Sequence, residues 1–218
     1  MTVQVSIPDF AAARRSMIES QLRPVGVTDQ AVLEAMGSVP REQFVPDDAR
    51  PLAYTDRSVG LGGGRFLAAP SVTGQLLSQM APAKGDRSLV IGAGTGYAAA
   101  LLAHMGCEVV AVESAPNLAA RARELGITVV EGALEAGYKA SAPYQLILID
   151  GAVEYLPEPI IKQLADGGRL GTALFERNIP WLIVGQKVAG AFGYLSVSDA
   201  GVAALPGFSR PRPFKFER

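Results

Sequence analysis

Leu89-Val-Ile-Gly-Ala-Gly-Thr-Gly-Tyr97 leads from an apolar run into three alternating glycines and then into Ala98-Ala-Ala-Leu-Leu102. That order predicts a buried strand, a tight turn and a helix. Gly92, Gly94 and Gly96 admit backbone conformations that other residues resist, and they let a ligand approach where a Cβ would collide. At the end of the next apolar run, about twenty residues on, Glu113 is placed to accept both ribose hydroxyl hydrogens of a bound nucleoside. A tight packing turn beside a solvated glutamate is the plainer alternative. A dinucleotide fingerprint reads Gly-x-Gly-x-x-Gly/Ala, which brings the helix N-terminus against a pyrophosphate. Here Tyr97 follows the last glycine. A bulky residue at that point suits a ligand without pyrophosphate and favours S-adenosylmethionine.

A helix over Ser71–Met80 precedes the first strand, Ser88–Ile91. Further strands at Cys107–Val112, Ile127–Val130 and Leu146–Ile149 alternate with helices at Tyr97–Met105 and Pro116–Leu125, the second opened by a proline suited to a first helical turn. A helix over Pro157–Leu164, closed by Asp166-Gly-Gly168, is followed by strands near Arg169–Leu174, Trp181–Val188 and Tyr194–Val197. The Ala189-Gly190 pair joins the last two as a hairpin. The fold class is α/β and Rossmann-like, a mostly parallel central sheet with helices on both faces and an antiparallel C-terminal hairpin. Ahead of it, Phe10 to Met36 has helical spacing, with Pro24 and Gly26 ending one helix and Thr28 or Asp29 capping another. Val39 to Pro70, with Pro40, Pro46, Pro51 and Gly62 to Gly64, predicts ordered loops instead of long elements.

The 218 residues are 49% hydrophobic and 19% charged, enough for a large core and outside the disordered and fibrous classes. A net charge of -1 gives no overall field toward nucleic acid or an anionic membrane, so neither is an expected partner. No stretch approaches the roughly 20 apolar residues of a membrane helix, and Met1 to Phe10 lacks a signal-peptide pattern, so a cytoplasmic protein is expected. With one cysteine, Cys107, and one histidine, His104, no disulfide and no metal centre is expected. Both residues read as structural. Asp150 closes the run Leu146–Ile149 at the crevice where open α/β sheets bind ligands. There a carboxylate can hold the ammonium end of a cofactor or take a proton from a nucleophile, and capping a following helix is the alternative.

Arg14-Arg-Ser-Met-Ile-Glu-Ser-Gln-Leu22, Gly26-Val-Thr-Asp29, Val32-Leu33, Ala35-Met36, Val39-Pro-Arg-Glu42 and Phe44-Val-Pro46, with Tyr54 and Asp56, resemble the N-terminal signature of the protein-L-isoaspartate O-methyltransferases. Gly92 to Tyr97 resembles that family's cofactor motif, and Gln163-Leu164 with Gly167-Gly-Arg-Leu170 resembles the segment entering its fifth strand. The resemblance covers most of the chain. It implies a methyltransferase core over residues 71–218, with residues 1–70 forming a helical segment and a substrate-loop region packed on it. It also implies S-adenosylmethionine as cofactor and a peptide or protein carboxylate as acceptor, with protein repair as the role. By this resemblance Gly92, Ala93, Gly94, Thr95, Gly96 and Tyr97 form the cofactor turn and Glu113, with Ser114 beside it, holds the ribose. Gly132 and Ala133 lie beside the adenine, and the backbone at Leu67 and Ala68 adjoins the cofactor, while Asp150 is a cofactor candidate from its strand-end position alone.

Three stretches depart from the family. Gly64-Arg-Phe-Leu-Ala-Ala-Pro70 stands where the family usually has Gly-Gln-Thr-Ile-Ser-x-Pro, so Arg65 replaces the glutamine and Ala68 the serine whose hydroxyl is associated with catalysis. Arg65 either contacts an acceptor carboxylate bidentately or faces solvent. Asp150 replaces a residue that is more often small and uncharged, and Phe175 to Trp181 lacks a glycine-rich stretch at the substrate rim. Two functions stay in view. One is O-methylation of an isoaspartyl carboxylate, or of a drifted carboxylate, hydroxyl or small-molecule acceptor, with Asp150 and Arg65 as catalytic candidates. The other is a cofactor-binding protein without isoaspartyl transfer that acts by sensing or interaction. The tail Arg210 to Arg218, with Pro211 and Pro213, reads as an edge strand.

Overall fold

The computed structural model describes residues 9–210, so the edge strand expected from Pro211 onward lies outside the described residues. Helix α1 (Phe10–Met17) is capped by Asp9, which accepts from the Ala12 amide. It continues as a π-helical turn, Ile18–Leu22, and the chain then turns at Gly26, whose φ is 85°. Helix α2 (Gln30–Ser38) is capped by Asp29, which accepts from the amides of Ala31 and Val32. Between Val39 and Pro70, two short 3-10 turns lead into a hairpin, β1 (Val59–Gly62) and β2 (Arg65–Leu67). So short and glycine-rich a hairpin has no apolar alternation to announce it in the sequence.

The remaining elements are α3 (Pro70–Met80), β3 (Arg87–Ile91), α4 (Tyr97–His104), β4 (Glu108–Glu113), α5 (Pro116–Glu124), β5 (Val129–Glu131), β6 (Tyr144–Val153), α6 (Glu158–Lys162), β7 (Leu164–Glu176), β8 (Ile179–Val188) and β9 (Ala191–Asp199). The sheet order is β5-β4-β3-β6-β7-β8-β9, parallel as far as β7 and antiparallel beyond it. This is the mostly parallel sheet with an antiparallel end that the alternation predicts. Ala189 and Gly190, both at positive φ, turn β8 into β9, and Arg177 and Asn178 turn β7 into β8 in the same way.

One boundary differs. The helix expected to reach Leu164 stops at Lys162, because Leu164 already pairs with Tyr144 as the first residue of β7. The Gln163 carboxamide fixes that corner by donating to the carbonyls of Ala136 and Pro159 and accepting from the Tyr138 amide. Asp166-Gly-Gly168 therefore forms a bulge inside β7, between the pairs Tyr144 with Leu164 and Leu146 with Arg169, and does not close a helix.

Alternate residues of the central strands serve two cores. Val90 and Leu148 join Leu77 of α3 and Leu101 and Leu102 of α4, whereas Leu89, Ile91, Ile147 and Ile149 join Ile160 of α6 on the other face. Covering on both faces is why these strands read as unbroken apolar runs. Cys107 is buried, as expected, and His104 ends α4 at the surface. Strand order reverses at β3, with β4 on one side and β6 on the other, and this reversal opens a ligand crevice at the carboxyl end of β3.

Candidate cofactor crevice

Beyond Ile91 the chain folds back on itself. The amides of Gly92 and Ala93 donate to the Val112 carbonyl at 2.9 and 3.2 Å, and the Gly96 amide donates to Ala93 at 2.8 Å. Gly92, Gly94 and Gly96 have φ values of 74°, 57° and 94°, the left-handed region that glycine occupies without strain. Thr95 and Tyr97 turn their side chains away from the crevice. The Thr95 hydroxyl donates to the Phe44 carbonyl at 2.5 Å, and Tyr97 is fully buried, edge-on to Phe44 and beneath the Arg41 guanidinium at 4.9 Å. Tyr97 thus brings only backbone to the turn, and its bulk belongs to the core.

Glu113, wholly buried at the end of β4, faces that turn. Its Oε2 accepts from the Gly94 amide at 2.7 Å, and its Oε1 accepts from the amides of Ser114 and Ala115 at 2.8 and 2.9 Å. The same Oε1 accepts from Arg65 Nη1 at 2.5 Å, while Arg65 Nη2 donates to the Gly92 carbonyl at 2.8 Å. Arg65 therefore takes neither expected position, being 5% exposed and engaged with Glu113 instead of solvent or an acceptor. A buried carboxylate left without a cation costs several kcal/mol, which draws a guanidinium on a neighbouring loop inward.

Asp150 sits in a bulge of β6, between the pairs Leu148 with Gly171 and Ala152 with Ala173. The Thr172 hydroxyl donates to the Gly151 carbonyl there at 3.0 Å. The bulge re-aims the carboxylate into the crevice, and because Asp150 lies within a strand it caps no helix. With Arg65, Phe66 and Ala68 it lines a cavity of about 10 Å³, closed by Ala203 to Leu205. That is room for at most one water. Burial pushes the Asp150 carboxyl up to about 6, against the pull of Arg65 and Arg41, with Glu113 adding to the rise.

Ala68, at the position expected for the family's serine, brings only a methyl group, and its carbonyl accepts from Arg41 Nη2 at 2.6 Å. Arg41 is fully buried, its Nε bonds the Ala53 carbonyl at 2.7 Å, and Nη1 is unpartnered, as is the Tyr97 hydroxyl. Nothing local to Val39-Pro-Arg41 marks a buried cation, so in the sequence Arg41 stands out only as part of a signature. Leu67 is buried opposite Val59. Ser114, Gly132 and Ala133 are exposed at the rim beside Glu113, where the Gly132 amide donates to the Glu113 carbonyl at 3.2 Å. Phe175, Arg177 and Asn178 instead line a separate cleft with Glu154, Ala204 and Arg210.

Two leucines also went unread in the sequence. A Cβ on Gly92 would lie 2.7 Å from Leu205 Cδ1, and one on Gly94 would lie 2.8 Å from Leu61 Cδ1. The glycine cradle is thus built and is filled by Leu61, Arg65 and Leu205, none of which belongs to the parallel sheet. A nucleoside would reach the turn only with those side chains withdrawn. The signature residues bond to one another and to the start of α3. The Tyr54 hydroxyl donates to Glu42, Arg14 bonds both, and Asp56 accepts from the Ser71 amide at the start of α3. Among the described residues no cluster of His, Cys, Asp and Glu could hold a metal ion, and no helix is long and apolar enough to cross a membrane.

A family model described as Protein-L-isoaspartate(D-aspartate) O-methyltransferase (PCMT) matches residues 13–179. Relatives named Protein-L-isoaspartate O-methyltransferase include one from Methylorubrum extorquens, 44% identical over 170 residues and 75% of each chain. Another, from Koribacter versatilis, is 34% identical over 214 residues, 95% of this chain and 96% of the relative. A solved structure of a putative protein-L-isoaspartate O-methyltransferase from Plasmodium falciparum, in complex with S-adenosyl-L-homocysteine, superposes with a TM-score of 0.78 at 18% identity, over 92% of this chain and 100% of that one. The two share a fold.

Proposed function

From membership of the protein-L-isoaspartate O-methyltransferase family, to which this chain belongs, we propose that its crevice binds S-adenosylmethionine and that it methylates a peptide or protein carboxylate, with isoaspartyl residues as the acceptor. The observation that carries the reading is the buried Glu113 carboxylate facing a three-glycine turn at the point where strand order reverses. S-adenosylmethionine, when bound, supplies a methyl group on a sulfonium. Glu113 would accept the ribose hydroxyl hydrogens, the glycines would leave room along the turn, and Gly132 and Ala133 would form the rim on the adenine side.

Asp150 faces the same space and suits the cofactor's ammonium, a cation that would hold its carboxyl ionised. An acceptor carboxylate is already ionised at neutral pH and needs no base. The chain's residues are left with orienting it and excluding water. Ala68 is compatible with that chemistry, though it offers no hydrogen bond to the acceptor. A cytoplasmic setting and a repair role belong to the same proposal.

The test is transfer of labelled methyl from S-adenosylmethionine to an isoaspartyl peptide, with the aspartyl peptide as control and base-labile methanol as readout. Transfer selective for the isoaspartyl peptide is the expected result. Cofactor binding by folded protein with no transfer to either peptide would reject that acceptor. It would favour the reading that Ala68 supports, a cofactor-binding protein without isoaspartyl transfer.

A further inference from the structure

The side chains covering the glycine turn come from two segments outside the parallel sheet. Leu61 and Arg65 belong to the β1–β2 hairpin, and Leu205 follows a segment tied to β6 by an Ala152–Ala204 bridge and by a 2.7 Å bond from the Leu205 amide to the Ala152 carbonyl. Of the two, the hairpin carries the cation that occupies Glu113. Its tip, Gly62 to Gly64, is exposed and stays at positive φ throughout, and Phe66 is 46% exposed between the buried Arg65 and Leu67. The hairpin pairs with no strand of the large sheet. Val59, Leu61 and Leu67 pack its inner side into the core, and Arg65 is its polar hold on the crevice, through Glu113 and the Gly92 carbonyl.

We propose that Arg65 is a built-in competitor for Glu113, its guanidinium occupying the carboxylate that the cofactor's ribose must reach, so that cofactor binding is coupled to withdrawal of the β1–β2 hairpin. The proposal rests on the cofactor reading above. It makes Arg65 a determinant of cofactor affinity that acts from the acceptor side of the crevice. Gly64, Arg65 and Phe66 line the same cavity as Asp150, so the withdrawal that admits the cofactor also moves residues on the acceptor side, with Ala68, held by Arg41, as the fixed end. The crevice has no room for a nucleoside with Arg65 in place, and the guanidinium occupies Oε1 of Glu113, which also accepts from the amides of Ser114 and Ala115, while Oε2 accepts from the Gly94 amide alone.

Calorimetric titration of S-adenosyl-L-homocysteine into the wild-type chain and Arg65→Gln tests this. Glutamine is two bonds shorter and gives up the ion pair, Glu113 keeps its three amide donors, and the thermal transition of the variant shows whether it is folded. Arg65→Gln should bind about tenfold tighter or more, because the closed population no longer taxes the apparent affinity. Hydrogen exchange on the wild type supplies a second readout that needs no variant, and there S-adenosyl-L-homocysteine should speed exchange at the amides of Val59 to Leu67. Equal or weaker binding by a folded Arg65→Gln, or hairpin amides that the ligand leaves unchanged or protects, overturns the proposal while leaving the cofactor reading intact. Absence of binding to both proteins, each shown folded by its thermal transition, overturns the cofactor reading and the proposal with it.

Discussion

Arg41 Nη2 reaches the carbonyl oxygen of Ala68 at 2.6 Å, while Nε of the same guanidinium holds the carbonyl of Ala53 at 2.7 Å. One buried cation thereby joins the 3-10 segment before the hairpin to the residue just after it. By lying over the Tyr97 ring it also joins both to the helix that follows the glycine turn. The planar fork makes this possible, since two donors diverge from one rigid group.

Arg41→Lys should therefore cost about 2–4 kcal/mol of stability, because an ammonium cannot bridge both carbonyls and stack on Tyr97, and one buried acceptor is left unsatisfied. Urea unfolding monitored by far-UV circular dichroism measures it. A loss below about 0.5 kcal/mol, the usual range for surface changes, would show that neither carbonyl depends on Arg41.

Asp150→Asn should stabilise the protein in a pH-dependent way. The folded carboxyl titrates at about 6 against an ordinary 3.8, so the folded state holds this proton more tightly than the unfolded chain does. The cost of the ionised form is absent below the lower value, grows between the two, and is complete above the upper one. The variant should gain about 1–3 kcal/mol near pH 8 and nothing near pH 4. A gain of equal size at both pH values would mean that it has another cause.

Glu113→Ala should be destabilised by about 3–5 kcal/mol, since it leaves the Arg65 guanidinium buried without its carboxylate and three amides without an acceptor. It should also lose S-adenosyl-L-homocysteine binding. An unfolding midpoint equal to that of the wild type would contradict the ion pair, and undiminished affinity would contradict the ribose assignment.

Ala68→Ser restores the family's hydroxyl on a carbonyl-anchored segment, and should raise kcat on an isoaspartyl peptide by about tenfold or more, with the aspartyl control flat. Unchanged turnover would place acceptor recognition elsewhere on the crevice wall.

The sheet was legible because strands covered on both faces must be apolar throughout, and Gly92, Gly94 and Gly96 cluster where a turn needs positive φ. Asp150 could be placed at a strand end, but not in a bulge, since a bulge arises from the register with β7 and leaves no local mark. Arg65 was the hardest residue to read. Its neighbours Gly64 and Phe66 suggest an exposed loop, and the carboxylate that draws it inward is 48 residues away. Leu61 and Leu205 were hidden for a similar reason, because each looks like ordinary core and only the folded chain sets it over a glycine. The corner at Gln163 went the same way, its helix cut short by bonds to Ala136 and Tyr138.

The order of strands also bears on how the molecule assembles. Strands β7, β8 and β9 are neighbours in the chain joined by two-residue turns, so their pairing closes short loops and costs little chain entropy. The crevice needs β3 beside β6, with α4, β4, α5 and β5 strung between them, and it needs Arg65 brought to Glu113. Closing the C-terminal meander thus costs less chain entropy than assembling the ligand site, which gathers segments far apart in the chain.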